Sequence, residues 1–443
     1  MQFDTKASKS LLTLLLCIAA VLIYPALGRV DLLDDELKLA ELAKEFSTSG
    51  VTNVFEGHGS DFVSNFYGYL VSLLINNFNI PLEYATRLPS AIVITLLTVA
   101  LYCFQCMEDK LSKSFLSSLL FLSSYTVIAL AFHASTIALI VLPFIASLAI
   151  VFLYSQAPSR NKAILLVIFC ATATIYMGIL APLIMAVLGN GFLAIKKTDE
   201  IKPYLSFTFH LVAAIALAYG TIVFITNDAQ VALNVLGVEQ ITSQLVEYPK
   251  FEMFAGHVLF SIFPWSIPIS ISLFWIVFNP HWLKDRYMEL SPYKRYGLII
   301  FIISIPAFFV LNRLSLVMLL TAVFFNMPII SGFLLSQIHK HTIIWRITGW
   351  IFASLITILT SLFIATRSGL DIVFQNIQIT TTGSWSVASA LLVIAIITSL
   401  YTLSRNQRTI KMDNRYLYNI VILYLLVIIL YKAYINPYLI SPF

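Results

Sequence analysis

The chain has 443 residues, 59% of them apolar and only 11% charged, with a mean hydropathy of +0.89. Soluble domains carry about 25% charged residues, so a surface this poor in charge is solvated by lipid, and a soluble enzyme is excluded. The net charge of +5 is spread over short loops between apolar runs, with no basic cluster interleaved with aromatics, which excludes nucleic acid as a partner.

A spanning helix needs about 20 mostly apolar residues, and runs of that length recur to the end of the chain. They fall near 10–27, 88–107, 114–132, 135–155, 162–177, 179–195, 204–226, 256–278, 296–312, 315–336, 343–366, 384–404 and 416–436. Backbone groups in lipid must pair within their own segment, which selects helices; the runs do not alternate as barrel strands do. The expected fold is all-α, a polytopic transmembrane bundle of about thirteen spans forming a single integral membrane domain over 1–443. The first segment carries Lys6 and Lys9 ahead of its apolar core and resembles a signal peptide ending near Gly28; it reads better as an uncleaved first helix. The windows 162–177 and 179–195 are short and divide at Met177-Gly178.

With the N-terminus on the cytoplasmic side, the alternate loops hold 18 of the 27 basic residues, as the positive-inside rule requires. The long loops then lie outside: 28–87, 227–255 and a moderate one at 367–383. Loops carry function more often than the elements they join, so the active side is expected to be the outer one. The four cysteines (Cys17, Cys103, Cys106 and Cys170) lie in apolar runs, and the Cys103-x-x-Cys106 pair has no second ligand pair, so it reads as packing. Glu56, His58 and Asp61 match no strong metal template, and a solvated loop is the better reading. His210 and His257 read as bundle histidines. No metal and no cofactor is expected.

The first outer loop carries the densest chemistry. In "DDELKLAELAKEF", Leu37, Ala40 and Ala43 and then Leu39, Leu42 and Phe46 fall on neighbouring helical stripes, so the segment is expected to be an amphipathic helix on the membrane surface. A second amphipathic stretch runs from Asp61 to Phe78. Asp34, Asp35 and Glu36 have two readings. They suit the N-cap and the positive end of a helix, with Asp34 as the cap. They also stand beside a membrane helix end, where ionisable groups often mark a site.

This segment resembles the D-E-x-R-Y-A-x-I-A-R-E-M stretch in the first periplasmic loop of the polyprenyl-phosphate-sugar glycosyltransferases of the GT-C fold, the aminoarabinose transferases and protein O-mannosyltransferases. "EYATRLPSAI" (Glu83–Ile92) is similar to their E-F-A-A-R-L-P-S-A-L segment, "FSIFPWSIPI" (Phe260–Ile269) to their G-L-L-P-W-S-L-L segment, and "LNRLSLVMLL" (Leu311–Leu320) more weakly to their S-K-x-x-Y-L-L-P turn. The resemblance implies transfer of a sugar from a polyprenyl-phosphate-linked donor to a lipid, glycan or protein acceptor, at the periplasmic face of a bacterial inner membrane. It implies Asp35 as catalytic base, with Glu36, Lys38, Arg313 and Arg87 on the substrate. Lys38 stands where the family has Arg, and Arg313 where it has a phosphate-contacting Lys; Arg313 also reads as a snorkelling anchor. Arg87 also reads as fixing the start of its span, and Pro264-Trp265 as shaping a helix end and its interface belt.

Three departures accompany the resemblance. The family's K-P-P-L-x-Y-W segment is replaced by "VSNFYGY" (Val63–Tyr69). Its second Asp is absent from "FHAST" (Phe132–Thr136), where His133 and Ser135 stand. The family's His ahead of the Pro-Trp span is absent near "LVEYPKF", where Glu247 is the nearest ionisable group. A non-catalytic relative that binds a lipid or a partner enzyme is therefore the alternative. A transporter is a third reading, disfavoured by the lack of inverted repeats and buried charges in the spans.

Overall fold

The computed structural model describes residues 6–28, 32–49, 60–107, 109–195, 202–226, 228–236, 291–310 and 314–338, with Trp265 and short pieces between 350 and 425. The helices in chain order are α1 (Lys6–Ile23), α2 (Asp34–Ser49), α3 (Ser60–Phe78), α4 (Leu82–Gln105), α5 (Leu111–Leu122), α6 (Tyr125–Phe132), α7 (Thr136–Gln156), α8 (Arg160–Met177), α9 (Leu180–Ile195), α10 (Lys202–Thr226), α11 (Ala229–Leu236), α12 (Pro292–Val310) and α13 (Leu314–Ile338). Among the described residues α4, α7, α8, α10 and α13 are long and apolar enough to cross a membrane, and α5 with α6 makes a sixth crossing if the bent pair is one span. The chain is an integral membrane protein. The windows at 343–366, 384–404 and 416–436, and all of 256–278 but Trp265, lie outside or almost outside the described residues.

Helix α4 is the hub, in contact with α1, α2, α3, α5, α6 and α7. It starts at Leu82, ahead of the expected 88, because its first turn carries Glu83 and its second the buried Arg87. Helix α1 seats Leu15, Ala19 and Leu22 in the core. At its far end Tyr102 of α4 donates to the Ser8 carbonyl at 3.0 Å. The expected span 114–132 is broken. Ser123 and Ser124 both donate their hydroxyls to the Leu120 carbonyl, at 3.0 and 2.8 Å, diverting it from the helix ladder. The two halves bend by 61° there. The expected division at Met177-Gly178 is present, and Gly178 has a φ of 61°, which only glycine adopts freely.

The described spans are helical, as the all-α reading expects; in the loop at 367–383, Ile372–Phe374 and Ile377–Ile379 form a short antiparallel ribbon with Ile372 opposite Ile379. One expectation needs correction. Trp265 is not in an interface belt. It is buried, donates Nε1 to Ser123 Oγ at 2.9 Å and stands edge-on to Tyr424; a buried indole N–H needs such an acceptor.

Candidate functional site

The site begins with the phase of α2. Glu36, Leu39, Ala40, Ala43 and Phe46 recur at helical spacing and are all buried, while Asp34, Asp35, Lys38, Glu41, Lys44 and Glu45 are exposed. The helix therefore packs against α3 and α4 and does not simply float on lipid, as its amphipathic pattern alone suggests. Its stripe meets Tyr67 and Val71 of α3 and Ala85 of α4 in a small apolar cluster. Gly68 permits the close approach, since a Cβ there would lie 2.9 Å from Leu42 Cβ.

That phase gives two adjacent acids opposite environments. The Glu36 side chain is 3% exposed and faces Arg87, also 3% exposed. Arg87 donates Nε to Glu36 Oε1 at 3.0 Å and Nη2 to Oε2 at 2.6 Å, a two-pronged pair, and Nη1 to the Leu27 carbonyl at 2.8 Å. The Ala134 N–H donates to Glu36 Oε1 at 2.8 Å, the Leu33 N–H donates to Oε2 at 3.1 Å, and His133 Nδ1 stands 3.5 Å from Oε1. Burial alone would raise the Glu36 carboxyl. The neighbouring His133 imidazole, the hydrogen bonds and charge of Arg87 and the Ala134 N–H outweigh it and hold the group well below the usual carboxylate range. The Leu33 contact is half of a capping box, because Leu33 opens the helix by accepting from the Leu37 N–H and Glu36 is three residues on. Leu33, not Asp34, is thus the N-cap.

Asp35 points the other way. Its side chain is 93% exposed and pairs with Lys38, itself 75% exposed, at 3.2 Å. Such a pair is worth at most about 1 kcal/mol, so either partner exchanges readily for a ligand. Arg313 lies outside the described residues.

The knot around Glu36 extends through the two segments that depart from the family pattern. His133 and Ala134, both buried, and the half-buried Ser135 form a non-helical link between α6 and α7, and N–H groups shielded from water need acceptors. Glu36 takes the Ala134 N–H, Ser90 Oγ takes the Ser135 N–H at 3.1 Å, and Ser135 caps α7 by accepting from the Ile137 N–H. Tyr67 donates to the Thr86 carbonyl at 2.7 Å, with its oxygen 3.0 Å from Ser90 Oγ. Stretches that look unrelated in the sequence (DDELKL, VSNFYGY, EYATRLPSAI and FHAST) therefore converge on one buried polar cluster, with Asp35 and Lys38 presented on its solvent side. Tyr67, Ser90 and the Ala134 N–H were not foreseen as members. The readable signal was Glu36 itself, an acid on an apolar stripe and in need of a buried cation.

Among the described residues no three His, Cys, Asp or Glu side chains come together as metal ligands, and the four cysteines are free thiols. His210 rests its Nδ1 against the Ser206 carbonyl. His58 and His257 lie outside the described residues.

No family model matches the chain, and no curated protein matches its sequence. Solved structures match its fold. A crystal structure of ArnT from Cupriavidus metallidurans bound to undecaprenyl phosphate is similar with a TM-score of 0.62 at 13% identity, covering 96% of this chain and 78% of that one. The apo state of the same protein gives 0.60 at 13% identity, over 97% and 78%. The likeness is one of fold, and it agrees with the GT-C architecture that the motifs led us to expect.

Proposed function

We propose that the chain is a membrane glycosyltransferase that moves a sugar from a polyprenyl-phosphate-linked donor to an acceptor at the outer face of the membrane. The observation that carries the reading is the division of labour on α2, set on an ArnT-like fold. Glu36 is locked to Arg87, Ala134 and Leu33, and this fixes the backbone that holds Asp35 in solvent at the bundle's edge. Rigid support of this kind is what positions a reacting group.

In the reaction the acceptor hydroxyl oxygen attacks the anomeric carbon. The bond from that carbon to the phosphate oxygen breaks, and its electron pair leaves with the polyprenyl phosphate. Asp35 accepts the hydroxyl proton, a role that needs hydrogen-bond reach to the acceptor and contributes typically 10²–10⁴-fold. Lys38 leaves its weak pair with Asp35 for the donor phosphate, as a point charge and without a guanidinium's fork; in this reading Arg313 supplies further positive charge to the departing phosphate. Arg87 and Glu36 act on the substrate through the position they give α2.

The test is release of polyprenyl phosphate from donors carrying different labelled sugars, with lipid, glycan and protein acceptors supplied in turn. Wild type is expected to turn over one donor–acceptor pair, and Asp35→Asn to lose about 10²–10⁴-fold of that rate. Undiminished turnover in Asp35→Asn removes Asp35 as the base. The missing second Asp favours one other reading, a non-catalytic lipid binder. Donor binding without turnover by wild type, across all pairs, selects it.

A further inference from the structure

We propose that the groove between α8 and α10 is a binding site for an anionic glycerophospholipid, with Arg160 on its phosphate and one acyl chain lying along the groove. The groove has a volume of about 410 Å³ and is lined by Arg160, Ile164, Ile168, His210 and Leu217, among others. On α8 the lining positions recur at three- and four-residue spacing, a single stripe about 12 Å long from Arg160 to Ile168. The lining surface is wholly apolar, so Arg160 and His210 border the groove with their carbon atoms, and the charge of Arg160 lies at its edge and not inside it. The two helices are the described spans least covered by protein: only 33% of the α8 window and 22% of the α10 window is buried, against 61% for α4 and 72% for α13. The groove therefore opens to lipid, and an acyl chain matches its lining.

Charge complementarity decides the headgroup. Two basic residues open α8, and the structure spends only one of them. Lys162 donates Nζ to the Leu153 and Ala157 carbonyls, at 3.0 and 2.8 Å, and so closes the end of α7. Ser159 caps α8 by accepting from the Lys162 N–H. Arg160 is exposed and makes no ion pair or hydrogen bond among the described residues. It stands at the mouth of an apolar groove, where the positive end of α8 adds potential of the same sign. A chain in lipid gains no hydrophobic energy by moving from bulk lipid to a groove, so selection must come from the head, and a guanidinium selects a net-negative phosphodiester by two-pronged hydrogen bonding.

The test is lipid retention by the purified full-length protein in mild detergent, counted by native mass spectrometry. The probes are phosphatidylglycerol, phosphatidylcholine with the same chains, and glycerol phosphate. Wild type is expected to retain one phosphatidylglycerol in preference to phosphatidylcholine by about fivefold, the size of one basic contact at a membrane surface, and to ignore glycerol phosphate. Arg160→Gln removes the preference, and Ile168→Trp, which fills the groove, lowers retention of both lipids. Equal retention of the two lipids by wild type overturns the proposal, as does a preference that survives Arg160→Gln. Stronger retention of undecaprenyl phosphate than of phosphatidylglycerol overturns the assigned class. A disulfide between two copies of an Ile164→Cys variant, formed at the expense of lipid, assigns the groove to a second chain and overturns it too.

Discussion

Substituting Glu36→Gln tests the knot beneath the exposed face of α2. The groups hydrogen-bonded to the carboxylate are donors: Arg87 Nε and the Ala134 N–H on Oε1, Arg87 Nη2 and the Leu33 N–H on Oε2. Whichever way a carboxamide turns, its NH₂ meets two of these donors, and the Arg87 guanidinium stays buried without a counter-charge. Removing one partner of a buried ion pair costs about 3–5 kcal/mol, a large share of the 5–15 kcal/mol that holds a typical domain. The expected drop in Tm is about 3–5 °C for a chain of this size, read by intrinsic fluorescence in detergent at one fixed scan rate, because unfolding of large proteins is commonly irreversible. Glu36→Gln with Arg87→Met removes the stranded charge and recovers part of the loss, as apolar replacement of a buried pair commonly does. A Glu36→Gln protein within about 0.5 kcal/mol of wild type, the range of ordinary surface changes, refutes the reasoning.

The same group sets an acid limb. Because the folded Glu36 carboxyl is depressed from its ordinary value of 4.5, its contribution is fully present above that pH and is lost as the pH falls below it; a Tm series from pH 7 down to pH 3 shows this limb in wild type and not in Glu36→Gln. Gly68→Ala forces Leu42 back from a Cβ contact of 2.9 Å, so α2 and α3 separate at a cost of about 1–3 kcal/mol, visible as a lower Tm and faster proteolysis of the α2–α3 segment. Tyr67→Phe deletes the buried hydroxyl between the Thr86 carbonyl and Ser90 and is expected to cost about 1–2 kcal/mol, checked by the same melts.

The membrane class and most helix positions were legible because apolar length and loop charge suffice for them. What escaped the sequence reading had local causes. Helix α4 starts early because a buried partner neutralises Arg87, and a hydropathy window scores that residue as loop. The break at Ser123-Ser124 escaped because two serines are compatible with an apolar run until their hydroxyls claim the Leu120 carbonyl. The acids of α2 stand out in the sequence, but position in a motif does not say which carboxylate faces the interior. Helical phase does: Glu36 shares a stripe with Leu39, Ala43 and Phe46, and Asp35 does not. The roles of Tyr67 and Ser90 depend on contacts across α3, α4 and the α6–α7 link, which no spacing within one segment reveals. At 13% identity to ArnT, the resemblance in sequence rests on short motifs, and the two segments that depart from the expected pattern hold residues that serve the knot.

The central claim is that adjacent acids on one helix divide the work, Glu36 holding the structure and Asp35 meeting the acceptor. Turnover of a labelled polyprenyl-phosphate-sugar donor, measured beside Tm for Asp35→Asn and Glu36→Gln, tests it most directly. The account predicts that Asp35→Asn melts like wild type and loses about 10²–10⁴-fold of its rate, while Glu36→Gln melts several degrees lower. Wild-type turnover by a normally folded Asp35→Asn protein would contradict it.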